Sequence, residues 1–372
     1  MDSELSQKKL LKKMMDESFK QSDLYTAGNY WKFYEKNILN QIKKNSLKNF
    51  RSWEGGSGSG NIQSFGGGNE RTGRRFLRNF HPFEKGYNFF DNSLLLKRYN
   101  SLINKLIPYF SFLKYLVIRS VEARTYHKYF FDNLILQKYE LIKKLDKELI
   151  EISDSKFGLE NDDFTSINNK IYTNNFLNQL MFIYQIKKNT DFNSINYIME
   201  LGAGIGLLAS AFLKLKKVKY LIIDIPPTIF FSEYYLKNLG YKVFGYEDLS
   251  RIDNLNFEKI FKDYDVICLP SWKINKMDNF KFDLFINIYS FQEMEKSQVL
   301  NYLSVLKKNI NKYSYMENLI EGHKKAKKKN EFGVLNQCKL EDLENYLLDE
   351  FKVIDKNINL NDKTYKLLLE KI

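Results

Sequence analysis

Hydrophobic and polar positions repeat in two different ways along this chain, and the change falls near residue 190. Before it, apolar residues recur at helical spacing. Leu10, Met14 and Phe19, then Trp31, Tyr34 and Ile38, sit in lysine-rich surroundings and predict two helices within residues 1–50. A Leu/Ile/Phe/Tyr stripe with few breakers besides Pro108 predicts largely helical structure over 94–150, and 168–188 reads as a further helix. After residue 190, short apolar runs alternate with helical patterns. Residues 197–201, 218–223 (closing on Asp224), 241–246, 265–269 (stopped by Pro270), 283–289 and 313–319 read as strands. Helices are expected at 207–215, 228–239, 295–308 and 340–349. Strands separated by helices mark a parallel α/β sheet. The last two apolar runs, 351–354 and 365–372, are joined by the polar turn 357–363, which is too short for a crossover helix. They predict an antiparallel hairpin. The expected organisation is a mainly helical domain over 1–190 followed by an α/β domain over 191–372.

Glycine interrupts this pattern twice. Between Ser52 and Gly73 the chain reads Gly-Gly-Ser-Gly-Ser-Gly and then Gly66, Gly67 and Gly68. This is either a flexible linker or a mobile lid with Trp53, Phe65, Arg74 and Arg75 at its edges. No Gly-Lys-Ser/Thr follows, so it spells no phosphate loop. The second interruption is the turn after the first strand, where 197–206 reads Tyr-Ile-Met-Glu-Leu-Gly-Ala-Gly-Ile-Gly. Strand, glycine turn and helix is the geometry in which backbone approaches a small ligand and a helix N-terminus faces it. A dinucleotide fingerprint would put its third glycine at 207, where this chain has Leu.

Ligands of open α/β sheets lie outside the carboxyl ends of the strands, so the candidates follow strands. Asp224 ends the second strand, roughly 20 residues after the first glycine, where a carboxylate can accept both ribose hydroxyls. The alternative for Asp224 is a cap for the helix after Pro226 and Pro227. For a base-stacking contact, either Glu247 and Asp248 or Ser271 and Trp272 follow the strand next in space.

Composition narrows the classes. With 372 residues, 44% of them hydrophobic and 16% aromatic, the chain can bury a sizeable core and is not a disordered one. A net charge of +13 points to an acidic partner, or to the Lys/Asn/Ile/Phe/Tyr usage of an AT-rich genome, since the lysines are scattered and Arg is scarce. Cys268 and Cys338 are far apart without metal-ligand spacing, and no Asp/Glu/His cluster has it either, so a reduced cytoplasmic protein with no catalytic metal is expected. The apolar run 107–118 contains Lys114 and is too short to span a bilayer, and the charged N-terminus has no signal-peptide core; no membrane insertion is expected.

The pattern Glu-x-Gly-x-Gly-x-Gly at 200–206 resembles motif I of class I S-adenosylmethionine (SAM) methyltransferases. Leu-Ile-Ile-Asp-Ile-Pro-Pro (221–227), Glu-Tyr-Tyr-Leu (233–236) and Asn-Ile-Tyr-Ser-Phe-Gln-Glu-Met (287–294) extend the resemblance to bacterial sugar O-methyltransferases, a family associated with surface polysaccharides such as capsule or lipopolysaccharide. It covers about 197–318. The resemblance implies a Rossmann-like sheet ending in an antiparallel hairpin, with SAM as cofactor and S-adenosylhomocysteine as its product. It implies cofactor contacts from Glu200 (near the ammonium), Gly202, Ala203, Gly204, Gly206, Asp224, Ile225, Ser271, Trp272, Asn287 and Tyr289. The acceptor implied is a sugar, nucleotide-sugar or glycan, with Ser290, Gln292, Arg74 and Arg75 as candidate contacts.

Methyl transfer to a sugar hydroxyl needs alignment and a proton acceptor. Glu293 is either that base or a capping carboxylate for the helix beside it. His323, in the basic loop after 313–319, is the rival base; His81 and His127 are in the N-terminal part. The run 324–329 is either a solvated face or a contact for a phosphate-bearing substrate. Two other functions fit the composition. One is an RNA methyltransferase, although no Asn/Asp-Pro-Pro-Tyr loop or RNA-binding module is present and no nucleic-acid partner is expected. The other is a non-catalytic SAM-fold binding protein, against which the glycines and Asp224 argue.

Overall fold

A computed structural model describes residues 4–53, 121–160, 163–252 and 254–372, with backbone alone at 36, 37 and 121–131. The two N-terminal helices are α1 (Glu4–Ser18) and α2 (Asn29–Lys44), followed by a 3-10 turn at Leu47–Ser52. The long helix α3 (Val121–Leu145) comes next. Most of the Gly-rich segment, Arg74, Arg75, His81, the apolar run 107–118 and the side chain of His127 lie outside the described residues.

The helix expected over 168–188 is shorter than its pattern. Residues 165–172 form the hairpin β1 (Thr165–Ile167) and β2 (Lys170–Tyr172), turned by Asn168 and Asn169 with φ of 51° and 61°. Asn tolerates left-handed backbone, and a two-residue turn with both φ positive suits a tight hairpin. Helix α4 (Asn174–Asn189) then starts at Thr173, whose hydroxyl accepts the Phe176 amide.

Eight strands make the main sheet: β3 (Tyr197–Leu201), β4 (Lys219–Asp224), β5 (Val243–Phe244), β6 (Val266–Pro270), β7 (Phe282–Ile288), β8 (Ile310–Leu319), β9 (Phe351–Asn359) and β10 (Thr364–Lys371). Their order is β5-β6-β4-β3-β7-β8-β10-β9. All neighbours from β5 to β8 are parallel, and β10 runs antiparallel between β8 and β9. The chain leaves β3 toward β4 and returns on its other side at β7, so the switch in strand order falls at β3. This is the Rossmann-like α/β sheet with an antiparallel terminal hairpin that the patterning predicts. The strand expected over 241–246 shrinks to two residues, because Gly245 caps a short helix, α7 (Tyr246–Leu249), after α5 (Leu207–Leu215) and α6 (Thr228–Asn238).

Strand residues alternate between two cores. Ile198, Ile222 and Leu284 join the core that also buries Tyr34, Phe50, Phe176 and Phe231 from the helices of one face. Met199, Leu221 and Phe285 face α8 (Phe257–Asp263), α9 (Lys296–Leu306) and α10 (Leu340–Leu347) on the other. The N-terminal helices therefore share their core with the sheet.

A buried ion pair fastens this side. Arg51 and Asp154 are both fully buried and joined by two bonds, 3.1 and 2.7 Å, while Thr173 donates to the same Asp154 carboxylate at 2.6 Å. One buried carboxylate thus ties the segment after α2 to the N-terminus of α4. Both cysteines are free and buried. Among the described residues no helix is long and apolar enough to cross a membrane.

Candidate active site

The turn after β3 is built for close approach. Its glycines at 202, 204 and 206 have φ of 81°, 60° and 80°. A Cβ on Gly202 would fall 2.0 Å from the Ser290 hydroxyl oxygen, so two loops from neighbouring strands meet there with no room for a side chain. The Ser232 hydroxyl of α6 donates to the Gly204 carbonyl at 2.6 Å and pins the turn from the other side. A cleft of about 470 Å³ opens in front of it, at the carboxyl ends of β3, β4, β6 and β7.

Three carboxyls line this cleft. Glu200 accepts from the Tyr220 hydroxyl at 2.7 Å; burial, with Asp224 nearby, pushes its carboxyl up to about 8. Asp224 accepts one backbone N–H on each oxygen, from Gly204 at 3.2 Å and Ile225 at 2.7 Å, which leaves lone pairs on both for a ligand. Burial pushes Asp224 up to about 7, against the pull of those two amides. Glu293 is pushed up to about 8 by burial and by Asp224, while hydrogen bonds from Tyr30 and Trp31 act the other way. None of the three pairs with a lysine or arginine among the described residues. A desolvated, unpaired cluster of acids is unfavourable until a cation arrives.

The loop after β7 sorts the remaining candidates. Ser290, Gln292, Glu293 and Tyr289 line the cleft, Tyr289 at φ 54° with its hydroxyl tied to Glu317. Asn287 does not. It is fully buried, donates to the Leu201 carbonyl at 2.9 Å, and accepts from Phe291 N–H and Asn318, so it holds the loop to β3. His323 also lines the cleft, its imidazole held below the usual value by burial and its Nδ1 without a partner.

Of the other expected contacts, Ala203, Ile225 and Ser271 line the cleft with Gly202 and Gly204. Trp272 packs into the core behind Ser271, and Gly206 caps α5 against Leu236 and Ile222. Glu247 and Asp248 sit beyond the edge strand β5, where Asp248 caps its own helix. Glu233 takes the Tyr246 amide and Lys237, which joins α6 to α7.

Sequence reasoning missed the roof. Tyr30 and Trp31 come from the first turn of α2, which the segment before it lays across the cleft. Gln298 of α9 holds that segment by donating to the Asp23 and Thr26 carbonyls at 2.7 and 2.9 Å, and the Ser271 hydroxyl donates to the Tyr25 carbonyl. The other wall is a face of α4: Asn175, Asn178, Gln179 and Phe182. Lys138 of α3 donates to the Asn178 side-chain oxygen at 2.7 Å, which leaves that amide's N–H groups for a ligand. The i, i+3, i+4, i+7 spacing of this face, opposite Leu177, Leu180 and Ile183, was a readable signal.

No family model matches the chain, and no curated protein matches it. Among solved structures it is similar to the mitomycin 7-O-methyltransferase MmcR, at 12% identity and TM-score 0.35, over 53% of this chain and 57% of that one. It is also similar to magnesium protoporphyrin IX methyltransferase (ChlM) from Synechocystis PCC 6803 with bound SAM, at 10% identity and TM-score 0.36, over 68% and 99%. A third is the ribosomal protein L11 methylase of Lactobacillus delbrueckii subsp. bulgaricus, at 14% identity and TM-score 0.37, over 56% and 89%. The chain spans little more than half the length of MmcR and of the pyocyanin biosynthetic protein PhzM, 57% and 53%.

Proposed function

We propose that this chain is a SAM-dependent O-methyltransferase acting on a sugar hydroxyl, in the assembly of a bacterial surface polysaccharide. The observation that carries the reading is a glycine-lined cleft with two buried carboxyls, Glu200 and Asp224, and a half-buried third, Glu293, none of them paired with a lysine or arginine among the described residues. The ligand it suits is cationic, carries a diol, and lies against bare backbone. SAM has a sulfonium and an ammonium, and its ribose offers the diol. Glu200 would hold the ammonium and Asp224 the ribose, with the 202–204 backbone against the methionine part. Thr228, 1% exposed and lining the same cleft, has a hydroxyl with no partner and is a further donor for the ligand.

When bound, SAM supplies an electrophilic methyl group; the protein's own residues do the rest. Glu293 would take the proton from the acceptor hydroxyl, facing Tyr30 and Trp31 across the cleft. Desolvation is the main cause of the raised Glu293 pKa and Asp224 a lesser one; a positive ligand beside both carboxyls would favour the ionised form and so ready the base. Tyr30 and Trp31 offer aromatic surface, and Asn175, Asn178, Gln179 and Gln292 offer amides, a lining suited to a polyhydroxylated acceptor. Residues 1–190 would act as the substrate-covering part.

The test is single-turnover methyl transfer to a sugar acceptor panel by wild type, Glu293→Gln and His323→Ala. Glu293→Gln should cut turnover by about 10²–10⁴ with S-adenosylhomocysteine affinity intact. Collapse in His323→Ala, with Glu293→Gln near wild type, reverses the two roles.

A further inference from the structure

The acidic floor of the cleft has a cationic rim. His323 lines the cleft and opens a loop in which Lys324, Lys325, Lys327, Lys328 and Lys329 are all exposed. This loop is fastened throughout. Its root is held by the His323 amide donating to Gln292 O at 2.9 Å and by Gln337 donating to His323 O at 2.7 Å. Lys325 forms a β-bridge with Val334, flanked by Val334 N–H to Lys324 O at 3.0 Å and Ala326 N–H to Val334 O at 2.8 Å. Phe332 packs its ring on Tyr30 and His323, with centroids 5.6 and 4.9 Å away. The far arm is bound to the first residue of α2. Asn29 donates to Glu331 O and Gly333 O and accepts from Asn330 N–H, each at 2.8 Å.

The charge of this ordered loop is not balanced. Glu331 is its one acid, 3.8 Å from Lys328 and accepting the Lys327 amide. No carboxylate among the described residues pairs with Lys324, Lys325, Lys327 or Lys329. Lysines elsewhere near the same face are paired: Lys296 with Asp342 at 2.6 Å, Lys339 with Glu321 at 2.5 Å. The neighbouring end of α2 adds to the imbalance. Its cap, Gly28, lines the cleft without a side chain to take the first amides, and the first turn has no acid. Asn29 fastens the loop to this end of α2, beside exposed lysines that no carboxylate of the described residues neutralises, Lys328 excepted.

We propose that the acceptor carries a phosphate or diphosphate group held by Lys324, Lys325 and Lys327 at this rim, beside the start of α2, while its hydroxyl enters the cleft. The placement of the hydroxyl rests on the methyl-transfer reading; the anion site does not. Floor and rim then bind opposite charges, the cation inside and the anion at the mouth, which sets the orientation of the acceptor toward the cleft.

Inorganic pyrophosphate is the probe, titrated calorimetrically into the full chain at low and high salt. Wild type should bind it, more weakly as salt rises, and the triple variant Lys324→Gln, Lys325→Gln, Lys327→Gln should lose about tenfold or more. S-adenosylhomocysteine affinity should be the same in both proteins. Equal pyrophosphate affinity in wild type and variant, or no binding to wild type at low salt, overturns the rim site. If S-adenosylhomocysteine fails to bind wild type, the methyl-transfer reading falls while the pyrophosphate titration still decides the rim. Sedimentation with phosphatidylglycerol vesicles separates the sources: lysine-dependent co-sedimentation supports a lipid-linked phosphate, and pyrophosphate binding without it supports a soluble one. Lysine-dependent retention of a single-stranded RNA that pyrophosphate does not displace overturns the small-acceptor assignment.

Discussion

Tyr30, in the first turn of α2, and Glu293, in the loop after β7, face one cleft although more than 260 residues of chain separate them. Trp31 lines it too, and hydrogen bonding from both side chains acts to lower the Glu293 pKa against burial. The proposed base is therefore faced by the N-terminal helices as well as by the loop that carries it.

Removing these donors should slow chemistry while sparing cofactor affinity. Both hydrogen bonds favour the ionised carboxylate, so Tyr30→Phe or Trp31→Phe raises the Glu293 pKa further. The expected result is about a tenfold loss of kcat near neutral pH, from one charge-assisted hydrogen bond of about 1.5 kcal/mol. The acid limb of the pH–rate profile should move upward, and S-adenosylhomocysteine titrations should stay unchanged. An unshifted limb means that Glu293 is not the group titrating.

Stability should fall as pH rises, through the same acids. Asp224 goes from an ordinary 3.8 to about 7 and Glu200 from 4.5 to about 8. Their folded values lie above their unfolded ones, so the native state binds these protons more tightly. That contribution is fully present below the unfolded pKa values, about 4, and is lost as pH rises through about 7 to 8. Glu200→Gln should flatten the decline of Tm between pH 5 and 8.5 relative to wild type. A cationic ligand selects the ionised acids, so S-adenosylhomocysteine, with its ammonium, should bind with proton release and more tightly at pH 8 than at pH 6.

Breaking the Arg51–Asp154 pair should be costly, because both partners are fully buried and Asp154 would be left without its cation. Arg51→Met should destabilise by about 3–5 kcal/mol in urea unfolding. The effect should reach the cleft as well, since Asp154 also takes the hydroxyl of Thr173, the cap of α4. A change under 1 kcal/mol contradicts this account of how the N-terminal segment is fastened.

Gly202→Ala should lose ligand binding, because the added methyl meets Ser290 and the backbone is at φ 81°. A drop in S-adenosylhomocysteine affinity of tenfold or more in calorimetry is expected, from strain and overlap of a few kcal/mol. Affinity equal to wild type contradicts the close approach of the two loops.

Which parts of this were legible in the sequence follows from how local their causes are. The strand ends at Leu201 and Asp224 are marked by apolar runs that stop in glycine or an acid, and both bear on the cleft. The hairpin at Asn168 and Asn169 was hidden because 168–188 holds apolar residues that also suit helical spacing. Asn287, the next-to-last residue of β7, and Trp272, just past the end of β6, do not line the cleft, since strand side chains alternate and the parity at a strand end depends on the loop beyond it. The stripe read from the sequence ran through Trp31, Tyr34 and Ile38, and the meeting of Tyr30 and Trp31 with Glu293 was not legible in it. That contact depends on Gln298, Ser271 and Asn29 laying the α2 entry across the sheet, and no periodicity reports a contact so distant in sequence.

The central claim is that this cleft holds the methyl donor through its acids. Calorimetric titration of S-adenosylhomocysteine into wild type and Asp224→Ala tests it most directly. The account predicts binding to wild type and a loss of about 1.5–3 kcal/mol, roughly tenfold to more than a hundredfold, in the variant. Equal affinity in the two proteins, or binding of NADH in place of S-adenosylhomocysteine, would contradict it.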